Sequence, residues 1–216
     1  MDFNRLYNLL SKYADTERAK KMSAYMKNQF SFLGIQTPQR RQMLKPLFDR
    51  KEDNVDWAFV RQCWDNSYRE MQYAALDYLN FHKKCLTPSD LPRLKALALN
   101  KPWWDTIDTI AMLVGEIVTN NPNYQDLMLN WANDRNIWLR RIAIEHQLLC
   151  KEKMNTVLLE NIITANLNQT EFFINKSIGW ALRDYSKTDP AWVRQFIETH
   201  RGEMSELSIK EAGKYL

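Results

Sequence analysis

The stretch KPWWDTIDTIA, Lys101 to Ala111, places Trp104 and Asp108 four residues apart. On a helix that spacing brings the indole and the carboxylate onto one face. Two later stretches carry related side chains. WLRRIAIE contains Arg140 and Arg141, and NKSIGWALRDY contains Lys176, Trp180 and Arg183. The last three follow i, i+4 and i+3 steps and form one stripe. A carboxylate stabilises nearby positive charge, an indole face attracts cations, and arginines take up phosphate. Upstream, in YMKNQFSFLGIQTPQRRQMLK, Thr37 and Pro38 read as N-cap and first-turn proline, followed by Arg40, Arg41 and Lys45. Exposed amides at a helix start, with arginines beside them, suit a phosphate. The same residues also describe a well-capped helix with a solvated face.

Structural readings stand beside these. Trp103 and Trp104 diverge by about 100° on a helix, so one of them belongs to the core. Asp105 lies in the first turn after Pro102, where the helix dipole alone favours a carboxylate. Asp108 is deeper, and its ordinary role is an ion pair with Arg141. Arg140 and Arg141 are adjacent, so at most one joins a patch with Asp108. Trp180 under snorkelling cations is the packing alternative for the third stretch.

The elements that must position these residues read as helix after helix. From Pro88 onward they pair: DLPRLKALALN with WWDTIDTIAMLVGEIVT, YQDLMLNWAND with IWLRRIAIEHQLLCKEK, NTVLLENIITANL with EFFINKSIGWALRDYS, and AWVRQFIETH with SELSIKEAGKYL. First helices begin near Pro88, Asn123, Asn155 and Pro190, a period of roughly 32–35 residues. VDWAFVRQCWD and YREMQYAALDYLNFHKK extend the array upstream. The Trp, Gly and Tyr pattern of tetratricopeptide repeats is not visible, so HEAT-like pairs are preferred. The expected fold is all-α, a helical-repeat solenoid forming a single domain over 1–216, with 1–55 as an N-terminal helical cap and 56–216 as repeated pairs. Second helices of such a stack line one surface, commonly the concave one, which gathers Trp104, Asp108, Arg141, Lys176, Trp180 and Arg183.

Composition agrees with a compact helical protein. The 216 residues are 45% hydrophobic and include only five glycines, which leaves little room for a turn-rich β fold. No apolar run approaches membrane length and the N-terminus lacks a signal-like core, so a soluble cytoplasmic protein is expected. Cys63, Cys85 and Cys150 are scattered, as are His82, His146 and His200. Neither set has disulfide or metal-ligand spacing, and no glycine-rich phosphate loop occurs, so no metal and no cofactor is expected. Thirty basic against 26 acidic residues give a net charge of +4, which permits nucleic-acid binding through a local patch without requiring it.

Taken together, YMKNQFSFLGIQTPQRR, WWDTID, IWLRRIAIEHQL and FFINKSIGWALRDYSKTDP resemble the AlkD-like family of DNA alkylation-repair glycosylases, in order and separation across nearly the whole chain. The resemblance implies HEAT-like repeats curved around duplex DNA and excision of positively charged N3- and N7-alkylated purines. It places the catalytic carboxylate on Asp108, active-site tryptophans on Trp104 and Trp180, and an active-site arginine on Arg141. It implies DNA contacts at Tyr25, Gln36, Thr37 and Arg183, to which the basic residues Arg40, Arg41 and Lys176 are added. Leu149 departs from the basic residue of some members, which touches one phosphate contact and not the chemistry. The implied partner is duplex DNA carrying alkylated purines, bound by a monomer without membrane or metal. A catalytically silent relative that holds damaged or branched DNA and a protein-binding scaffold are the competing expectations.

The residue types suit that reaction. An alkylated purine already carries positive charge and leaves without an added proton. A single carboxylate then suffices, stabilising the oxocarbenium-like sugar and orienting water. Arg141 beside Asp108 is expected to keep it ionised. An open concave surface suggests a lesion base that stays largely stacked. No lysine or N-terminal amine is poised for lyase chemistry, so a monofunctional enzyme is expected.

Overall fold

The computed structural model describes residues 1–48 and 54–216. Among them run thirteen α-helices with short 3-10 turns and no β-strand. The chain is all-α, as the periodicity predicts. It divides into two compact units, Met1–Leu86 and Thr87–Leu216.

The first unit holds α1 (Phe3–Ser11), α2 (Thr16–Tyr25), α3 (Thr37–Leu44), α4 (Trp57–Asp65) and α5 (Arg69–Phe81). The first three occupy the stretch expected as a cap, of which residues 49–53 lie outside the described residues; α4 and α5 complete the unit. Asp56 starts α4 by accepting the Phe59 amide at 3.0 Å. Leu6, Leu10, Ile35, Leu44, Val60 and Met71 form its apolar interior. The long α2–α3 connection is fixed from α5. The buried Glu70 carboxylate accepts the amides of Leu33, Gly34 and Ile35 at 2.9, 2.8 and 3.1 Å. Three charge-assisted bonds hold this loop, with Gly34 supplying the positive φ of 92° that it needs.

The second unit contains four helix pairs: α6 (Leu91–Leu99) with α7 (Trp104–Asn120), α8 (Gln125–Ala132) with α9 (Ile137–Glu145), α10 (Thr156–Thr164) with α11 (Phe172–Tyr185), and α12 (Pro190–His200) with α13 (Glu206–Ala212). Local chemistry sets their starts. Asn136, Asn155, Asp189 and Ser205 each cap a helix by accepting a backbone N–H. The second helices pack in series, α7 on α9, α9 on α11 and α11 on α13. Glycine sets two of these spacings. A Cβ on Gly115 of α7 would run into the His146 carbonyl oxygen just past α9. One on Gly179 of α11 would lie 2.5 Å from Glu211 Cβ and 2.9 Å from the Ser208 carbonyl oxygen of α13. These helices therefore approach at backbone distance, which brings their long side chains into reach across the contacts. No helix among the described residues is long and apolar enough to cross a membrane.

Candidate active site

Asp108 stands one turn into α7 and Arg141 one turn into α9, and the α7–α9 contact joins them. Arg141 Nε donates to Asp108 Oδ1 at 2.9 Å, and Nη2 lies 2.9 Å from the same oxygen. Nη1 donates to the Phe173 carbonyl oxygen at 2.7 Å, in the first turn of α11. Nη2 also lies 2.8 Å from Glu145 Oε1, one turn further along α9. One guanidinium thus ties three helices at the level of Asp108. Arg140 turns elsewhere, its Nε donating to Asn166 Oδ1 at 2.7 Å. Only one of the two adjacent arginines joins Asp108, and it is Arg141.

Trp103 and Trp104 part at the start of α7, where Trp103 is the extended N-cap residue, φ −162° and ψ 157°, and so lies outside the helix whose offset of about 100° was expected to separate them. Trp103 enters a ring cluster, its centroid 5.9 Å from Trp138 and 5.3 Å from Phe173. Trp104 opens α7 and Trp180 sits in α11, each half-buried. Asp105 occupies the first turn of α7, as its dipole role predicts.

Opposed effects act on the Asp108 carboxyl. Burial pushes its carboxyl above the ordinary range; Arg141 pulls it down without cancelling the rise, and Asp105 adds to it. The expectation from pairing with Arg141 alone omitted the cost of withdrawing a charge from water. Glu145 is pushed up further, by burial first and then by the neighbouring Asp108 charge. Exposure separates the two, since the Asp108 side chain keeps 18% of its surface and that of Glu145 none. Beside them, His146 is buried, and burial lowers its imidazole to about 4, so the ring is neutral.

The Lys176–Arg183 stripe meets α13. Lys176 Nζ lies 2.7 Å from Glu211 Oε1, Arg183 Nη1 donates to Oε2 at 2.7 Å, and Lys214 Nζ donates to Oε1 at 2.8 Å. Bonds from Lys176 and Lys214 hold the Glu211 carboxyl down at about 2. Three cations around one carboxylate leave excess positive charge on this face.

In the first unit, Thr37 is the first residue of α3 and not its cap; Gln36 holds the cap position without a side-chain bond. Thr37 Oγ1 instead accepts from Arg40 Nη1 at 3.4 Å. Arg40 is buried, with its Nε donating to Asp77 Oδ2 at 2.8 Å. Arg41 Nε donates to Oδ1 of the same carboxylate at 2.9 Å, while its side chain stays 65% exposed. Of the two arginines expected to touch DNA, Arg41 reaches the surface and Arg40 braces Asp77. Tyr25 ends α2, 69% exposed. Leu149 is also exposed, in the left-handed region at φ 65°, its amide donating to Asp184 Oδ2 at 2.7 Å.

Glu145 and Glu211 are the functional candidates that sequence reasoning passed over. Glu145 follows Arg141 by four residues, a legible helical pairing. Glu211 offered only the local i,i+3 step to Lys214, because its other two partners, Lys176 and Arg183, come from α11. Among the described residues no group of three or more His, Cys, Asp or Glu side chains is arranged to hold a metal ion.

Comparison with known proteins gives three findings. A family model described as DNA alkylation repair enzyme matches residues 6–216. A solved structure from Enterococcus faecalis, described as a predicted DNA alkylation repair enzyme, is similar at 33% identity and a TM-score of 0.84, over 94% of this chain and 96% of that one. Among curated proteins, none matches.

Proposed function

Because the chain belongs to the family of DNA alkylation repair enzymes, we propose that it is a monofunctional DNA glycosylase, with HEAT-like helix pairs, that hydrolyses the bond between deoxyribose and a positively charged N3- or N7-alkylated purine in duplex DNA. The observation that carries this reading is the Asp108 carboxylate, fixed by Arg141 against α9 and α11 yet still reaching solvent. A preorganised anion of that kind stabilises charge that develops only as a bond breaks.

The chemistry follows from the charge already on the lesion. As the glycosidic bond lengthens, its electron pair moves onto the alkylated base, which departs neutral. Positive charge passes to the sugar, where Asp108 opposes it. Water then adds to the anomeric carbon and gives up a proton, with Asp108 orienting it. No acid is needed for the leaving group, so a second exposed carboxylate is unnecessary. Trp104 and Trp180 line the sugar's approach, their faces adding attraction for the developing cation.

DNA is held through phosphates. Arg41, Tyr25, Gln36 and Thr37 serve from the first unit, and the cationic excess around Glu211, with Lys176 and Arg183, serves from the second. Arg40 supports this set through Asp77.

The test is release of free 3-methyladenine and 7-methylguanine from methylated duplex DNA. Wild type is expected to release base. Asp108→Asn is expected to lose about a hundredfold or more in rate while retaining duplex affinity. Equal release by the two proteins would overturn the assignment.

A further inference from the structure

The Asp108–Arg141 pair is closed from inside by Glu145. The Glu145 side chain is fully buried, with Oε1 2.8 Å from Arg141 Nη2. That contact is close but bent, and neither Glu145 oxygen has an aligned hydrogen-bond donor. The Asp108 carboxyl is close by, because its Oδ1 lies 2.9 Å from the same Arg141 Nη2. Two ionised carboxylates drawn onto one guanidinium nitrogen are acceptors only, and neither can donate to the other. A proton on one supplies the missing donor. Charge leads to the same place. Two carboxylates and one guanidinium, all ionised, would bury a net negative charge at heavy desolvation cost.

We propose that Glu145 keeps its proton at neutral pH and donates it to Asp108, as a positioning residue that orients the Asp108 carboxylate and confines the single negative charge of the cluster to it. The consequence for catalysis rests on the glycosylase reading; the location of the proton does not. The proton belongs on Glu145 because Asp108 takes the Arg141 Nε bond and reaches water, while Glu145 has neither.

The surrounding charges leave this arrangement intact. On α7, Asp105 lies near Asp108 and opposes a second anion there. From α11 the cluster receives the Phe173 carbonyl, while Lys176 and Arg183 turn to Glu211. On α6, Arg93 pairs with Asp90 and Lys95 lies over the Trp131 ring. Asp126 of α8 is exposed, and Glu160 of α10 lies beside His200. His146, next to Glu145, is neutral and donates or accepts at Ala143.

The experiment is infrared difference spectroscopy on the full chain with isotope-labelled glutamate carboxyls, without DNA, joined to base-release assays on methylated duplex. Wild type is expected to carry a protonated glutamate band at neutral pH that disappears on alkaline titration. Glu145→Gln should lack it. Glu145→Leu should release base about ten- to a hundredfold more slowly than wild type. Glu145→Gln, which keeps a neutral donor, should recover most of that loss and should lack the alkaline decline of the wild-type rate. A wild-type spectrum with no protonated glutamate at neutral pH, or a band unchanged in Glu145→Gln, overturns the inference. Should Glu145→Gln fail to fold, Asp108→Asn serves: with the neighbouring anion gone, the labelled band must titrate at lower pH, and an unmoved band overturns it. If the bands behave as expected but wild type releases no base, the shared proton stands and the glycosylase reading falls.

Discussion

Three nitrogens of Arg141 serve α7, α9 and α11 at once, so this side chain tests more of the second unit than any neighbour. Arg141→Ala strands the half-buried Asp108 carboxyl, the buried Glu145 carboxyl and the Phe173 carbonyl, and it is expected to cost about 3–5 kcal/mol in urea unfolding. Arg141→Lys should recover little, because one ammonium on a flexible stem cannot span the planar fork's partners. A lysine variant as stable as wild type would show that the three-helix tie is dispensable. At this scale the sequence was informative where spacing carried the signal. The four-residue step from Trp104 to Asp108, and the limit of one arginine per face, led to the Asp108–Arg141 pair. The Arg141–Glu145 spacing was legible, but its weight was not, because a glutamate on a helix reads as a solvated charge until burial is known. The raised Asp108 carboxyl was hidden for the same reason, since desolvation is a property of packing.

Between elements, glycine decides how close the second helices come. Gly115→Ala is expected to drive α7 from the His146 carbonyl and stretch the Asp108–Arg141 pair. Thermal unfolding should show a loss of about 1–3 kcal/mol or more, and base release should fall with it. Gly202→Ala is the control, because a Cβ there meets nothing within 4 Å. Unchanged stability in Gly115→Ala would mean the helices are free to slide. The helix pairs themselves were legible from apolar periodicity and from breakers such as Asp189–Pro190, which starts α12. The few glycines were read only as scarcity of turns. Two of the five instead lie within helices, because close approach depends on which helix lies opposite. The α3 start moved one residue from its expected place, with Gln36 at the cap, since Thr37 Oγ1 bonds Arg40 and not the backbone of the next turn.

Over the whole molecule, stability against pH combines opposed contributions. Glu211 is held at about 2 against an ordinary 4.5, so its contribution is present above 4.5 and is lost as pH falls toward 2. Glu145 has the opposite sign. Its folded form binds the proton more tightly than the unfolded chain, so its contribution is full below 4.5 and fades as pH rises through the folded value. Glu211→Gln is therefore expected to lower the melting temperature by a few degrees at neutral pH, with the gap to wild type closing between pH 4.5 and 2. A gap that persists below that window would assign the effect to packing against Gly179. The overall charge of +4 foretold none of this, because a sum over the chain is blind to which ions face one another. The division at Leu86 and Thr87 has an evolutionary consequence. Asp108, Arg141, Glu145, Trp104 and Trp180 all descend from one side of that junction, and Tyr25, Thr37 and Arg41 from the other. On the glycosylase reading proposed above, substitutions in the leading segment would retune one share of the grip on the duplex, leaving the hydrolytic residues and the share carried by Lys176 and Arg183 untouched.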